Sequence, residues 1–465
     1  MLRKIRIILA TICFVLVNLL FLGIGWSVTH HIAWVAKIQF LPALMALNYG
    51  VLTVLILVTL LFGRVYCSVI CPLGVMQDLF GWMGKKTKKN RYTYSPEKKW
   101  LRYSVLAVFV ICLVIGFAPV TTLLAPYSAY GRIVNTLFKP LYDLMMPGEV
   151  WMRSVTSYVI AVLTLGIVGI LAWRNGRTYC NTICPVGTIL SFFSRISLMR
   201  VQIDTEKCHQ CGLCTRNCKA SAIDFKSGTV DASRCVVCGD CLDKCKQDAL
   251  HYKPSVFSHE HSESPDQSKR AFMTGAVLAT GAAVMAQTKM KVDGGMAEIE
   301  DKHAPDREAP LMPPGAISVY HMNRHCTACQ LCVSVCPNNV LRPSTDPLRL
   351  MQPEMGFERG YCRPECTHCG AVCPTGAIQP VTKEQKTAIH IGHAIWIESN
   401  CVLATTDDSC GLCARHCPTQ AIEIMDNHVL VDSEKCIGCG KCEYLCPARP
   451  FSAIYVEGNI THHYE

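Results

Sequence analysis

Twenty-four of the 30 cysteines in this 465-residue chain fall into six groups of four. Cys208, Cys211, Cys214 and Cys218 are separated by two, two and three residues, and Cys235, Cys238, Cys241 and Cys245 repeat that spacing. Three thiolates on one tight loop can each bind an iron of the same 4Fe-4S cubane, while the fourth, displaced along the chain, reaches a neighbouring cubane. This crossing assigns Cys208, Cys211, Cys214 and Cys245 to one cluster and Cys235, Cys238, Cys241 and Cys218 to the next. Four further groups each close on Cys-Pro: Cys326, Cys329, Cys332 and Cys336; Cys362, Cys366, Cys369 and Cys373; Cys401, Cys410, Cys413 and Cys417; Cys436, Cys439, Cys442 and Cys446. The first gap is stretched to three residues in the second of these and to eight in the third, which lengthens a loop and keeps the ligand count. Crossing here joins Cys326, Cys329 and Cys332 with Cys373; Cys362, Cys366 and Cys369 with Cys336; Cys401, Cys410 and Cys413 with Cys446; and Cys436, Cys439 and Cys442 with Cys417. Six 4Fe-4S clusters are expected. A zinc site from the same thiols is the rival, but zinc motifs seldom repeat a three-plus-one spacing.

Lys219 and Lys246 stand where proline usually follows the fourth cysteine, and their charge is expected to favour the more negative, reduced cluster and raise its potential. Two hairpins complete the pattern of small α+β cluster-binding units. One joins residues 222–225 to 229–231, and the other joins 421–424 to 428–431.

Four more cysteines lie in an internal repeat. Residues 63–74, GRVYCSVICPLG, recur at 176–187 as GRTYCNTICPVG, each copy following the second apolar run of a pair. Cys67, Cys71, Cys180 and Cys184 could form two disulfides, share a metal or cluster, or pack as small apolar residues. They are candidate redox or metal residues. Cys13 and Cys112 stand alone in apolar runs, where buried inert thiols are expected.

The elements that must position these thiols are of two kinds. Half of the residues are hydrophobic and the mean hydropathy is +0.25, which excludes a single soluble domain. Residues 7–26, 41–62, 103–120 and 154–173 are apolar runs of the length that crosses a bilayer as a helix. No small-residue cleavage site follows the first, so a removed signal peptide is not expected. The connection after the second run carries Lys85, Lys86, Lys88, Lys89, Arg91, Lys98, Lys99 and Arg102 against Asp78 and Glu97, a cytoplasmic signature; the connections after the first and third runs face outward. The net charge of +10 is concentrated beside these runs, which points to membrane topology and not to nucleic acid. His30 and His31 are placed in an outward loop, and no histidine lies inside the four runs. With no C-x-x-C-H motif present either, haem is not expected, and no nucleotide-phosphate loop or nucleophile elbow was found.

The expected division is a four-helix membrane domain over 1–200, a two-cluster domain over 201–252, a linker over 253–268, a fifth apolar helix or export signal over 269–287, a second linker over 288–315, and a four-cluster domain over 316–465. The fifth run opens on Lys269-Arg270. If it crosses the membrane, the last four clusters lie on the other side from the first two.

These residues resemble two known families. Residues 1 to about 250, with four apolar runs, two C-x3-C-P motifs and a two-cluster tail, resemble the NapH-type membrane ferredoxin of the periplasmic nitrate reductase system. From about residue 268 the chain resembles the NapG-type partner, a four-cluster ferredoxin with a twin-arginine signal, although Lys269-Arg270 departs from two arginines. MauN and MauM are relatives. The resemblance implies a bacterial inner-membrane, multi-pass component of a quinol dehydrogenase. It would take electrons from membrane quinol and pass them to a periplasmic cytochrome or molybdenum reductase, with two clusters cytoplasmic and four periplasmic. The alternative is a redox or metal maturation factor for a periplasmic metalloenzyme. Tyr127, Tyr130 and Tyr142 are a candidate quinone contact, against a structural interfacial role.

Overall fold

The computed structural model describes residues 2–86, 92–145, 154–254, 301–406 and 409–464. The apolar run 269–287, with Lys269-Arg270, lies outside these residues.

Two helices, Leu2–Leu22 and Val155–Asn175, are long and apolar enough to cross a bilayer. Tyr49–Phe62 and Lys99–Ile115 are shorter, at 14 and 17 residues. The expectation of one helix over 41–62 is corrected: Phe40–Met45 ends, Leu47 turns left-handed, and Asn48 caps a new helix by accepting the Val51 N–H at 3.2 Å. The run 103–120 is broken similarly, because Lys99–Ile115 closes on left-handed Gly116 and Ala118–Leu124 restarts with a proline in its first turn. His30 and His31 belong to a short helix, Trp26–Ile32, and not to a loop.

All four helices turn large apolar side chains outward. Ile8, Ile12 and Val15; Val54, Leu57 and Leu61; Ile111, Val114 and Ile115; and Val159, Leu163, Ile167 and Ile170 are exposed. Water would penalise so continuous an apolar belt, and hydrocarbon would not. Between them, Pro72–Lys86 packs on Val155–Asn175. Glycine permits the approach, since a Cβ at Gly84 would lie 2.5 Å from the Trp173 carbonyl oxygen.

The first ferredoxin-like module is closed by strand Met199–Ile203, which pairs antiparallel with Leu250–Pro254. The hairpin Ile223–Asp224 with Thr229–Val230 sits within it. Its edge therefore reaches residue 254, beyond the expected boundary at 252. The second module begins earlier than expected. Residues 301–315 are not a spacer: Leu311 and Met312 are buried, and Arg307 pairs with buried Glu443 at 2.6 Å. Strand Ile389–Trp396 pairs antiparallel with Ile454–Tyr464 across a register shift between Gly458 and His463, and the hairpin Ile422–Met425 with His428–Val431 lies beside it.

The two modules sit at opposite ends of the helical bundle. At the start of Leu2–Leu22, Arg3 pairs with Asp240 at 2.9 Å and Asp243 at 3.1 Å; at its end, a Cβ on Gly23 would lie 2.9 Å from the Ser334 carbonyl. A 21-residue helix spans roughly 30 Å. Val155–Asn175 runs the other way: Ser157 reaches Met351 of the second module at 3.8 Å, and Arg177, just past its end, donates from its backbone to Lys219 of the first at 2.7 Å.

Candidate metal centres

The cluster loops share a backbone pattern. The residues on either side of the second cysteine are left-handed in four loops: Gln210 and Gly212, Val237 and Gly239, Ala328 and Gln330, and Gly438 and Gly440. Successive turns of this kind point backbone N–H groups into a concavity that favours an anion. A second left-handed residue follows the fourth cysteine by three positions at Ser221, Asp248, Asn339, Gly376 and Gln420. It brings an N–H back onto sulfur: Ala222 donates to Cys218 Sγ at 3.5 Å, Ala249 to Cys245 Sγ at 3.3 Å, and Ala421 to Cys417 Sγ at 3.3 Å. Glycine-poor positions such as Val237 and Ala328 gave no sign of this geometry in the sequence.

One cavity is lined by Cys208, Cys211, Cys214 and Cys245. Others gather Cys336 with Cys362, Cys366 and Cys369; Cys401, Cys410 and Cys413 with Cys446; and Cys417 with Cys436, Cys439 and Cys442. Cys241 interacts electrostatically with Cys238, Cys235 and Cys218, and Cys332 with Cys329, Cys326 and Cys373. Four cysteine thiols lining each of these four cavities suit an iron-sulfur cubane by donor type and number.

The Lys219 ammonium is buried between Asp78 at 2.9 Å and Asp240 at 3.1 Å, and it favours the charged form of the Cys238 thiol while the two carboxylates oppose it. Asp78 also accepts from Arg6 and Arg177, both at 2.7 Å. Burial alone would raise the Asp78 pKa; Arg177, Lys219 and Arg6 overcome it and hold the carboxyl well below its ordinary range. Arg3 ties the first module to the N-terminal helix through Asp240 and Asp243, and Arg6 ties that helix to Asp78.

The repeat 63–74 and 176–187 forms two short elbows, Val65–Val69 and Thr178–Thr182, each leading into a helix that starts at the proline of Cys-Pro. They meet about a local two-fold. Arg64 donates to the Cys180 carbonyl at 3.2 Å, and Arg177 donates to the Cys67 carbonyl. Gly187 and Gly74 let these guanidiniums pass: a Cβ on Gly187 would lie 2.8 Å from Arg64 Nη2, and one on Gly74 2.9 Å from Arg177 Nη1. Cys67, Cys71, Cys180 and Cys184 are all buried, at 3–4% exposure. Burial raises the pKa of the Cys184 thiol, and the neighbouring cysteines add to the rise. Cys13 and Cys112 are only half-buried, correcting the expectation for both.

Tyr127 and Tyr130 are packed shut. Tyr127 lies 5.4 Å from the Phe21 ring centre, and Tyr130 donates to Asn18 at 2.9 Å; Tyr142 is half-buried elsewhere. Their helix, Pro126–Ile133, is buried at every residue and continues into a π-turn, Val134–Phe138. The connection after the third apolar run thus dips into the bundle and bears on the second module, where Asn135 donates to the Gln330 carbonyl at 3.2 Å.

Helical elbows capped at both ends by cysteine-lined cavities define a membrane-associated, ferredoxin-type iron-sulfur protein. Family models agree: a 4Fe-4S binding domain matches residues 45–90 and 156–203, another 4Fe-4S binding domain 201–224, and 4Fe-4S dicluster domains 231–340 and 407–449. The chain is similar to the methylamine utilization ferredoxin-type protein MauM of Methylobacillus flagellatus, 30% identical over 165 residues, 33% of this chain and 70% of that protein. It therefore belongs to the family of ferredoxin-type proteins that includes MauM. MauM of Methylophilus methylotrophus is 35% identical over 150 residues, 29% of this chain and 66% of that one. The ferredoxin-type protein NapH of Escherichia coli is 27% identical over 179 residues, covering 38% and 55% respectively. The matches thus span about half to two-thirds of these relatives' length. No solved structure matches.

Proposed function

We propose that this chain is a multi-pass inner-membrane electron carrier that oxidises quinol and delivers electrons through six 4Fe-4S clusters to a periplasmic reductase. The observation that carries this reading is the seating of two cysteine-rich modules at opposite ends of a bundle with an apolar outer belt. The basic residues beside the first module, Arg3, Arg6 and Lys85, favour a cytoplasmic first module and hence a periplasmic second module. The ligands are the 24 cysteines in the crossed sets given above. All four apolar helices cross in this reading, the two shorter ones with the broken segments Phe40–Met45 and Ala118–Leu124 extending them. Likeness to NapH favours a nitrate reductase, reached by a small cytochrome, as the acceptor.

Reduced quinol added anaerobically to membranes containing the full chain should develop the electron paramagnetic resonance signals of reduced 4Fe-4S clusters. Clusters that dithionite reduces and quinol does not would contradict the reading. A periplasm-active reporter fused after Glu465 should be active. The maturation-factor reading is disfavoured by the burial of Cys67, Cys71, Cys180 and Cys184, which leaves them out of reach of a partner's thiols.

A further inference from the structure

We propose that Arg132 is a fixed counter-cation for the cluster held by Cys326, Cys329, Cys332 and Cys373, and that its charge, carried into the bundle on the helix Pro126–Ile133, holds that cluster's reduction potential up. The inference rests on the ligand sets of the electron-carrier reading above and names a residue that sets one cluster's place in the order of electron flow.

The side chain of Arg132 is 0% exposed, and among the described residues no carboxylate pairs with it. Its guanidinium donates to the Thr122 carbonyl at 2.7 Å and to the Leu123 carbonyl at 3.4 Å, and its Nε has no partner. Both carbonyls belong to the last turn of Ala118–Leu124, and a helix end offers roughly half an elementary negative charge. A full positive charge shut away from water needs more than that. Arg102 and Arg177, equally buried, each have a carboxylate at 2.7 Å, Glu97 and Asp78 respectively.

What Arg132 has beside it is a cluster loop. A Cβ on Gly131, the preceding residue, would lie 2.5 Å from the Cys329 carbonyl oxygen. Asn135, three residues on, donates to the Gln330 carbonyl at 3.2 Å and to Gln330 Oε1 at 3.3 Å. Contacts before and after Arg132 thus seat its helix on Cys329 and Gln330. The loop has the geometry of the other cluster loops, with Ala328 and Gln330 left-handed on either side of Cys329 and the Ala328 N–H donating to Cys326 Sγ at 3.4 Å. Burial raises the pKa of the Cys329 thiol, and Arg132 opposes the rise, so the guanidinium favours negative charge on this ligand.

A cubane on four thiolates carries net negative charge, which is one of the terms that sets its potential. Reduction by one electron adds a further negative charge beside the fixed positive one, in surroundings that screen the pair far less than water does. The electron comes from a neighbouring reduced cluster, which is oxidised by the same amount; no bond breaks and no proton moves in this step. Lys219 in the first module differs, because Asp78 and Asp240 both oppose it there.

The test is a dithionite titration of anaerobically purified full-length protein with redox mediators, followed by electron paramagnetic resonance. Cys329→Ser identifies the signal of the cluster concerned. In Arg132→Gln that signal should titrate lower by about 59 mV or more, a tenfold or greater loss in the one-electron reduction equilibrium, with the iron content kept and the first module's clusters unmoved. Arg132→Lys retains the charge and should retain the potential. An unmoved potential in Arg132→Gln, a fall shared by all clusters, or an equal fall in Arg132→Lys would each overturn the proposal. Loss of this cluster's iron in both variants would also overturn it, since Arg132 would then act as a structural cap on the Thr122 and Leu123 carbonyls. Iron lost in Arg132→Gln but kept at the wild-type potential in Arg132→Lys would support it. Failure of the electron-carrier reading is distinguishable, because dithionite titration needs no quinol: quinol would then reduce no cluster while the Arg132→Gln shift persisted.

Discussion

At the scale of single residues, burial decides which groups respond to pH. His462 sits at 3% exposure in strand Ile454–Tyr464 with both ring nitrogens unpartnered, and burial with the neighbouring His463 lowers its pKa to about 4. The unfolded chain takes up its proton near pH 6.5, before the folded one does, so stability falls as pH drops from about 6.5 to about 4. The 2.5-unit difference corresponds to roughly 3 kcal/mol. His462→Phe should flatten that part of the second module's pH–stability curve, as followed by thermal melting at several pH values; an unchanged slope would show that another group titrates. The cysteine spacing made the cluster loops readable because ligand geometry fixes it. His462 was not readable, since nothing local distinguishes a buried histidine from a surface one in an alternating strand.

At the scale of elements, the junctions are held by one carboxylate and a few glycines. Asp78 joins the N-terminal helix, the second elbow and the first module through Arg6, Arg177 and Lys219. Asp78→Asn strands buried cations and should cost about 3–5 kcal/mol, read as lowered thermal stability with early loss of the first module's clusters. Because its folded pKa is depressed, this contribution is full above the ordinary carboxylate range of about 4 and disappears only as pH falls further, toward the folded value. Gly74→Ala would drive a methyl into the Cys67 carbonyl and should cost on the order of 1–3 kcal/mol. Gly131→Val should loosen the second module from the bundle without touching the first, seen as protease sensitivity confined to the second module. The repeat announced the two elbows through its eight shared residues. It did not announce their two-fold crossing, because Arg64 and Arg177 exchange partners more than 100 positions apart. The apolar runs were legible by hydropathy, but their breaks at Leu47 and Gly116 reflect the packing of short helices beneath each elbow and not any loss of hydrophobicity.

At the scale of the whole molecule, the helices separate two cysteine-rich, ferredoxin-type modules and contact both. Arg3, at the start of the N-terminal helix, grips the first module through Asp240 and Asp243. Tertiary contact, which no window of sequence contains, placed Gly131 and Asn135 against the Cys329 loop and made residues 301–315 part of the second module. The most direct measurement of the central claim is iron and acid-labile sulfide per chain in anaerobically purified full-length protein. Six four-iron clusters require at least about 24 irons with matching sulfide, and a value near eight would contradict the account, since one module alone would then carry clusters.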